Sequence, residues 1–258
     1  MRRERAMGRA ICVASGKGGT GKTSVASGIA CCLAAMDKRV VVLDADVGLR
    51  NMDIVLGVSD SALFDFTDVI SGNVSLEKAL LTHPLVENLR LLSAPLGEKA
   101  GRDVTPKQMA ELVHEIKRMC DFCIIDCPAG LDFGFNLAAT AADCAILVAT
   151  TDTVSLRDAR LTRESLKKRG ISDIRLVVNR VRPSLIKKLA AANIDEAIDR
   201  TSTRLIGIIP EDRAVIEAAN KGTLLFSNLR APAAKAYRNI ARRICGESVP
   251  LMKISKKL

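Results

Sequence analysis

Between Ser15 and Ser24 the chain reads Ser-Gly-Lys-Gly-Gly-Thr-Gly-Lys-Thr-Ser, directly after the apolar run Ala10-Ile11-Cys12-Val13-Ala14. Gly16, Gly21, Lys22 and Thr23 satisfy G-x-x-x-x-G-K-[ST], the spacing of a phosphate-binding loop. Glycines let backbone N–H groups curl around phosphate oxygens, Lys22 adds a point charge, and the Thr23 hydroxyl is suited to ligating Mg²⁺. Gly18, Gly19, Thr20 and Ser24 fill out the cradle, and a helix starting at Lys22 turns its positive end toward the anion. Lys17 is an extra cation. It would be repelled by Lys22 unless phosphate lies between them, so the pair implies a heavily charged ligand.

Such a loop needs a frame. Apolar, β-rich runs at Ala10–Ala14, Val40–Leu43, Leu89–Leu92, Phe122–Ile125, Cys144–Ala149, Ile174–Val178 and Leu205–Ile209 alternate with amphipathic stretches. That alternation predicts a single-domain α/β P-loop fold, a mostly parallel twisted sheet of about seven to eight strands with helices on both faces. Helices are expected at Lys22–Ala35, Pro106–Cys120, Leu156–Lys168, Arg213–Asn220 and Ala233–Ile244, with shorter ones near Ser75–Leu80 and Ser184–Asp199. Pro106 and Pro232 suit first-turn positions. In open parallel sheets ligands bind beyond the carboxyl ends of the strands. Asp44, Asp46 and Asp126 follow two such ends. Asp126 closes an apolar strand as a Walker B carboxylate does, so Thr23, Asp44 and Asp126 are the candidate Mg²⁺ set. Phosphoryl transfer to water also needs metal, positive charge and an oriented nucleophile; a second carboxylate near the γ-phosphate is expected to position the water, a role assigned to Asp46.

The segment Lys17-Gly18-Gly19-Thr20-Gly21-Lys22-Thr23 resembles the deviant Walker A motif of the ParA/MinD ATPases. The resemblance implies that Lys17 reaches across a dimer interface to the partner's nucleotide. Asp44-Ala-Asp-Val-Gly-Leu-Arg-Asn-Met-Asp53 is similar to the first switch segment of the MinD branch, which brings in Arg50, Asn51 and Asp53. Asp126-Cys127-Pro128-Ala129-Gly130 resembles the second switch, with Cys127 where serine is usual and Asp132 where that branch commonly has glutamate. Val178-Asn179-Arg180 and Ile209-Pro210-Glu211-Asp212 resemble the two adenine-side segments, Asn179 being able to pair with the base edge. The likeness covers about residues 9 to 245. It implies ATP and Mg²⁺ as ligands, a homodimer with ATP, hydrolysis in control of septum placement, and as partners a MinC-like inhibitor and a MinE-like or other polarity factor. A flagellar placement ATPase of the FlhG type and a ParA-like DNA partition ATPase remain alternatives at this stage.

The chain has 258 residues and a net charge of +10 from 39 basic and 29 acidic side chains. Residues 1–9 hold four arginines and one glutamate, and residues 242–258 hold two arginines, three lysines and one glutamate, so the two ends carry seven of the ten net charges. The organisation expected is a basic extension (1–9), an ATPase domain (10–245) and a tail (246–258). In the tail, Leu251, Ile254 and Leu258 have helical spacing with Met252 beside them and lysines between, the pattern of a short amphipathic helix at an anionic membrane surface. A basic excess confined to the ends gives the body little reason to bind nucleic acid. Apolar runs fall short of the ~20 residues that span a bilayer, and residues 1–9 lack the core of a secretory signal. A cytoplasmic protein with peripheral attachment to the inner face of the cell membrane is expected. The eight cysteines then read as reduced core residues; Cys120, Cys123 and Cys127 have a spacing that fits no standard metal site.

Overall fold

The computed structural model describes residues 7–252, apart from positions 49, 60, 98–100, 102, 189, 226, 227 and 229. Its strands are β1 (Arg9–Ala14), β2 (Val40–Asp44), β3 (Leu81–His83), β4 (Val86–Leu92), β5 (Phe122–Asp126), β6 (Cys144–Ala149), β7 (Ile174–Val181) and β8 (Arg204–Pro210). Its helices are α1 (Lys22–Ala34), α2 (Met52–Leu56), α3 (Phe66–Ile70), α4 (Leu76–Ala79), α5 (Pro106–Met119), α6 (Phe133–Thr140), α7 (Thr153–Lys168), α8 (Pro183–Lys187), α9 (Ile194–Thr201), α10 (Arg213–Asn220) and α11 (Pro232–Ile244).

The strands form one sheet in the order β3-β4-β2-β5-β1-β6-β7-β8. All neighbours are parallel except β3 and β4. Every residue of β2 and β6 is buried, because helices cover both faces and leave no side of an inner strand for water. Side-chain alternation divides β1 between the two resulting cores. Cys12 and Ala14 join Met109, Phe135 and Leu156 on the α5–α6–α7 side, whereas Ile11 and Val13 join Ile29, Leu33 and Tyr237 on the α1–α11 side. Helices α1 and α11 pack closely because Gly28 has no side chain: a Cβ there would lie 2.8 Å from the Tyr237 ring. Tyr237 is only 2% exposed, and truncating so large a buried ring would cost about 3–5 kcal/mol.

The seven expected strands are present, and the structure adds β3. A three-residue antiparallel strand at the sheet edge has too few positions to show a period. The single helix expected over Ser184–Asp199 is two, α8 and α9, because the Asn193 side chain accepts from Glu196 N–H at 2.8 Å and starts a new helix. The short helices α2, α3 and α6 were not anticipated. Helix α3 is set by a capping box: Asp65 accepts from Thr67 and Asp68 N–H while Asp68 accepts from Asp65 N–H. Pro106 and Pro232 open α5 and α11 as expected.

Strand register fixes two opposite edges. Arg9 pairs with Phe122, Ile11 with Cys144, Ala145 with Ile174 and Arg175 with Arg204, so the strands begin at one edge. At the other edge Ala14, Asp44, Asp126, Ala149, Asn179 and Pro210 lie at or near the strand ends.

Candidate nucleotide site

The loop from Ser15 to Gly21 links β1 to α1. Gly21 is the N-cap of α1 with φ 89°, a left-handed conformation that glycine adopts without strain. A Cβ there would also lie 2.5 Å from Asn179 Nδ2. That amide donates to the Thr20 carbonyl at 2.8 Å, a buried bond tying the end of β7 to the loop. Asn179 therefore has one donor spent on the loop rather than all of its amide directed at a base. Gly16 packs against α7, where a Cβ would lie 2.4 Å from the Asp158 carbonyl.

The loop's two lysines sit in different surroundings. Lys22 is 7% exposed, whereas the Lys17 side chain is 49% exposed and its Nζ lies 4.0 Å from Asp152 Oδ1. Gly18 and Gly19 are exposed, Thr20 is buried, and Thr23 and Ser24 are half-buried in the first turn of α1.

Asp44 and Asp126 face each other across the β2–β5 pair and are each 1% exposed. Burial pushes both carboxyls up to about 7. For Asp126 the Thr23 hydroxyl and Lys22 oppose this shift while Asp44 and Asp46 add to it. Asp126 Oδ1 is buried with no hydrogen-bond partner. An unpaired buried oxygen of a crowded carboxylate is costly without a cation, so Thr23 and Asp126 fit Mg²⁺. Asp44, the third residue of the expected set, has a second task. Its oxygens accept from Asp46 N–H at 3.0 Å and Met52 N–H at 3.4 Å, so it braces the following loop as well as contributing charge. Among the described residues no three His, Cys, Asp or Glu side chains form a metal cage. Mg²⁺ commonly combines one or two carboxylates with substrate phosphates and water, so none is required. Cys120, Cys123 and Cys127 are likewise buried without forming such a cage. Asp46 is half-buried; burial raises its carboxyl and Lys22 opposes the shift, so the two groups are neighbours.

Of the described first-switch residues only Asn51 is exposed. Arg50 and Asp53 turn inward on each other, Arg50 Nε to Asp53 Oδ2 at 3.3 Å with side chains 14% and 9% exposed. This inward ion pair holds the first-switch loop within the chain. In the second switch, Cys127 N–H donates to the Val13 carbonyl and Gly130 N–H to the Ser15 carbonyl, which places the segment under the phosphate loop. Pro128 and Gly130 are half-buried and Ala129 is exposed.

On the far side of the loop, Ser24, Asn179, Arg180, Pro210, Glu211 and Asp212 line one cavity of about 260 Å³. Val215 and Ile216 supply its apolar wall, the surface a purine base needs. A second cavity of about 300 Å³ adjoins it and runs from Lys17 to Arg180 and Glu211. Its wall includes Thr150, Thr151, Asp152 and Arg182, which sequence reasoning missed. Asp152 caps α7 just beyond the carboxyl end of β6, so the rule that picked out Asp126 also points to it. Arg182 is ion-paired with Glu211, and that hydrogen bond holds the Glu211 carboxyl below its usual range.

Of the four tail residues expected at a membrane, Leu251, 48% exposed, and half-buried Met252 are placed; Ile254 and Leu258 lie outside the described residues. Among the described residues no helix is long and apolar enough to cross a membrane.

A family model described as the CobQ/CobB/MinD/ParA nucleotide binding domain matches residues 11–226. The septum site-determining protein MinD of Bacillus subtilis (strain 168) is 39% identical over 252 residues, covering 97% of this chain and 94% of the relative. The septum site-determining protein MinD of Thermotoga maritima is 37% identical over 248 residues, covering 95% and 91%. Among solved structures, a chain of the MinC:MinD cell division protein complex of Aquifex aeolicus has a TM-score of 0.89 at 33% identity, covering 95% of this chain and 99% of that one. MinD complexed with Mg-ADP from Pyrococcus horikoshii OT3 gives 0.83 at 30% identity, covering 92% and 96%. With this loop, sheet order and cleft, the chain belongs to the CobQ/CobB/MinD/ParA nucleotide-binding family and is a MinD-like P-loop ATPase that uses ATP and Mg²⁺.

Proposed function

We propose that this ATPase dimerises on ATP across the open cleft, associates as a dimer with an anionic membrane surface, and there recruits an inhibitor of the MinC kind to control septum placement. The observation carrying this reading is the contrast between the loop's two lysines. Lys22 is enclosed, where it would meet the phosphates of a bound nucleotide. Lys17 stands half-exposed on the rim with a loose ion pair to Asp152, placed to exchange that carboxylate for phosphate on a second subunit.

Mg²⁺, when bound, acts as a Lewis acid that draws charge from the phosphates. Thr23 and Asp126 would hold it, with Asp44 behind them. Asp46, beside Lys22 and half-buried, accepts a proton-bearing bond from the attacking water and aims it. Lys22 neutralises phosphate charge from within and the partner's Lys17 from across the interface. Arg180, Pro210, Glu211 and Asp212 border the base, and Asn179 fixes the loop that separates base from phosphate. The first switch is held by Asp44, Arg50 and Asp53, and the second by backbone bonds under the loop. Loss of the γ-phosphate removes what the two lysines share, and the dimer loosens. The Aquifex complex contains MinC, which supports that partner here. An activating peptide of the MinE kind, or another polarity factor, would act on the dimer. The paired tails, Leu251 to Leu258, would engage lipid together, each weak alone and strengthened by linkage.

The test is Lys17→Ala. ADP binding should persist while ATP-dependent dimerisation, read by sedimentation velocity, and hydrolysis disappear. A variant that still pairs normally on ATP refutes the reading.

A further inference from the structure

The strand-starting edge of the sheet lies opposite the cleft, and both described ends of the chain are there. Gly8 N–H donates to the Lys117 carbonyl at the end of α5. At the other terminus the Arg243 guanidinium donates to the carbonyls of Ile206 (2.8 Å), Val249 (3.0 Å) and Pro250 (2.7 Å), clasping the root of the tail to the start of β8. Helices α5, α7 and α11 also end at this edge, each with two basic residues in its last turn. That placement complements the helix dipoles, and it also concentrates positive charge at one pole.

Three acidic side chains at the pole already have partners. Asp173 is bonded to Arg9 and Arg175, Asp143 to Lys117, and Glu247 to Arg242. Between the end of α7 and the starts of β7 and β8 runs a polar groove of about 330 Å³. Arg163, Lys167, Arg175 and Arg204 line it with the hydroxyl-bearing Ser202 and Thr203. Its one carboxylate is Asp173. Arg163, Lys167 and Arg204 have no ion-pair partner among the described residues. A second cavity, of about 170 Å³, shares Asp173 and Arg175 and continues to Arg243 at the tail root.

We propose that the groove lined by Arg163, Lys167, Arg175 and Arg204 binds the phosphates of an anionic phospholipid surface, a second membrane contact built into the folded body. The proposal rests on the membrane reading above. Two tails that meet one bilayer must bring the faces around their roots nearest to it, and the groove adjoins the root that Arg243 fixes. Guanidinium and ammonium groups without partners gain most from such a surface.

The experiment uses the full chain with ATP and vesicles of phosphatidylcholine with or without phosphatidylglycerol, followed by cosedimentation. The variant is the triple Arg163→Gln, Lys167→Gln, Arg204→Gln; it spares Arg175, which holds Asp173. Basal hydrolysis and dimerisation should equal those of the wild type. Affinity for the anionic vesicles should fall about fivefold for each charge removed, roughly a hundredfold in all, with steeper losses in the wild type as salt rises. A chain ending at Pro250 should keep weak, salt-sensitive binding that the triple substitution abolishes. Undiminished vesicle binding by the triple variant overturns the groove while leaving a tail-driven membrane switch standing. Titration with inorganic phosphate that saturates the groove without affecting vesicle binding also overturns it, as does Arg204-dependent retention of duplex DNA in place of vesicles. If the wild type ignores anionic vesicles in ATP, the membrane reading itself fails and the groove falls with it.

Discussion

The floor and the rim of the nucleotide cleft are built on opposite principles. On the floor, Asp44 and Asp126 are each 1% exposed and Lys22 is 7% exposed, all fixed by strand register and the first turn of α1. On the rim, Lys17, Asp152, Arg182 and Glu211 are about half exposed and held by ion pairs that water can replace. The floor keeps its geometry with no ligand and carries the cost of crowded carboxylates. The rim forfeits little when its pairs separate. A switch that must open after every turnover needs both, a rigid place for chemistry and a surface cheap enough to exchange partners.

Substitutions on the floor should therefore have the largest effects. Lys22→Ala removes the enclosed cation and should reduce hydrolysis by at least about a hundredfold, read as phosphate release, together with nucleotide affinity. Activity within tenfold of the wild type would mean that Lys17 can act alone, and the floor–rim distinction would fail. Asp126→Asn sharpens the same point by separating stability from function. Hydrolysis should be lost to a similar degree, but the nucleotide-free protein should melt about 2–4 °C higher, since one of two repelling buried carboxylates is gone, a gain near 1 kcal/mol. A lower melting temperature would show that the two carboxylates do not strain the empty floor.

Gly21 sits where floor and rim join. Gly21→Ala forces a side chain into the left-handed region at about 1–2 kcal/mol. It also drives a Cβ toward Asn179 Nδ2 and breaks that amide's bond to Thr20. Melting should fall, and ADP affinity should weaken because the loop loses its tie to β7. If calorimetry finds the stability change alone, Asn179 is only a packing residue.

How much of this was legible in the sequence follows from the same physics. Val40-Val41-Val42-Leu43 declares a doubly buried strand by composition, and the glycines and lysines of the loop declare a phosphate site by spacing. Helix α3 did not show itself because its start depends on a reciprocal bond between Asp65 and Asp68, two residues that also suit a turn. Motif likeness put Arg50 and Asp53 in a switch segment, but their pairing with each other was not legible because a sequence cannot say which way a side chain turns. Asn179 was assigned to a base, yet a contact 159 residues away in the chain spends one of its donors on the loop. Asp152 was overlooked although it follows a strand end as Asp126 does, because no motif contains it.

The rim should yield the smallest effects, and Asp152 and Arg182 divide them. Asp152 also caps α7, accepting from Ser155 N–H at 2.9 Å. Asp152→Ala should therefore lower stability by about 1 kcal/mol, and Asp152→Asn, which keeps a cap, should restore most of it. Both release Lys17, so both should shift ATP-dependent dimerisation alike while differing in melting temperature. Arg182→Ala removes only a solvated ion pair with Glu211. It should leave the melting curve unchanged and alter ADP affinity by less than about threefold. A measurable loss of stability there would mean that the rim is preorganised like the floor, and the comparison drawn between them would not hold.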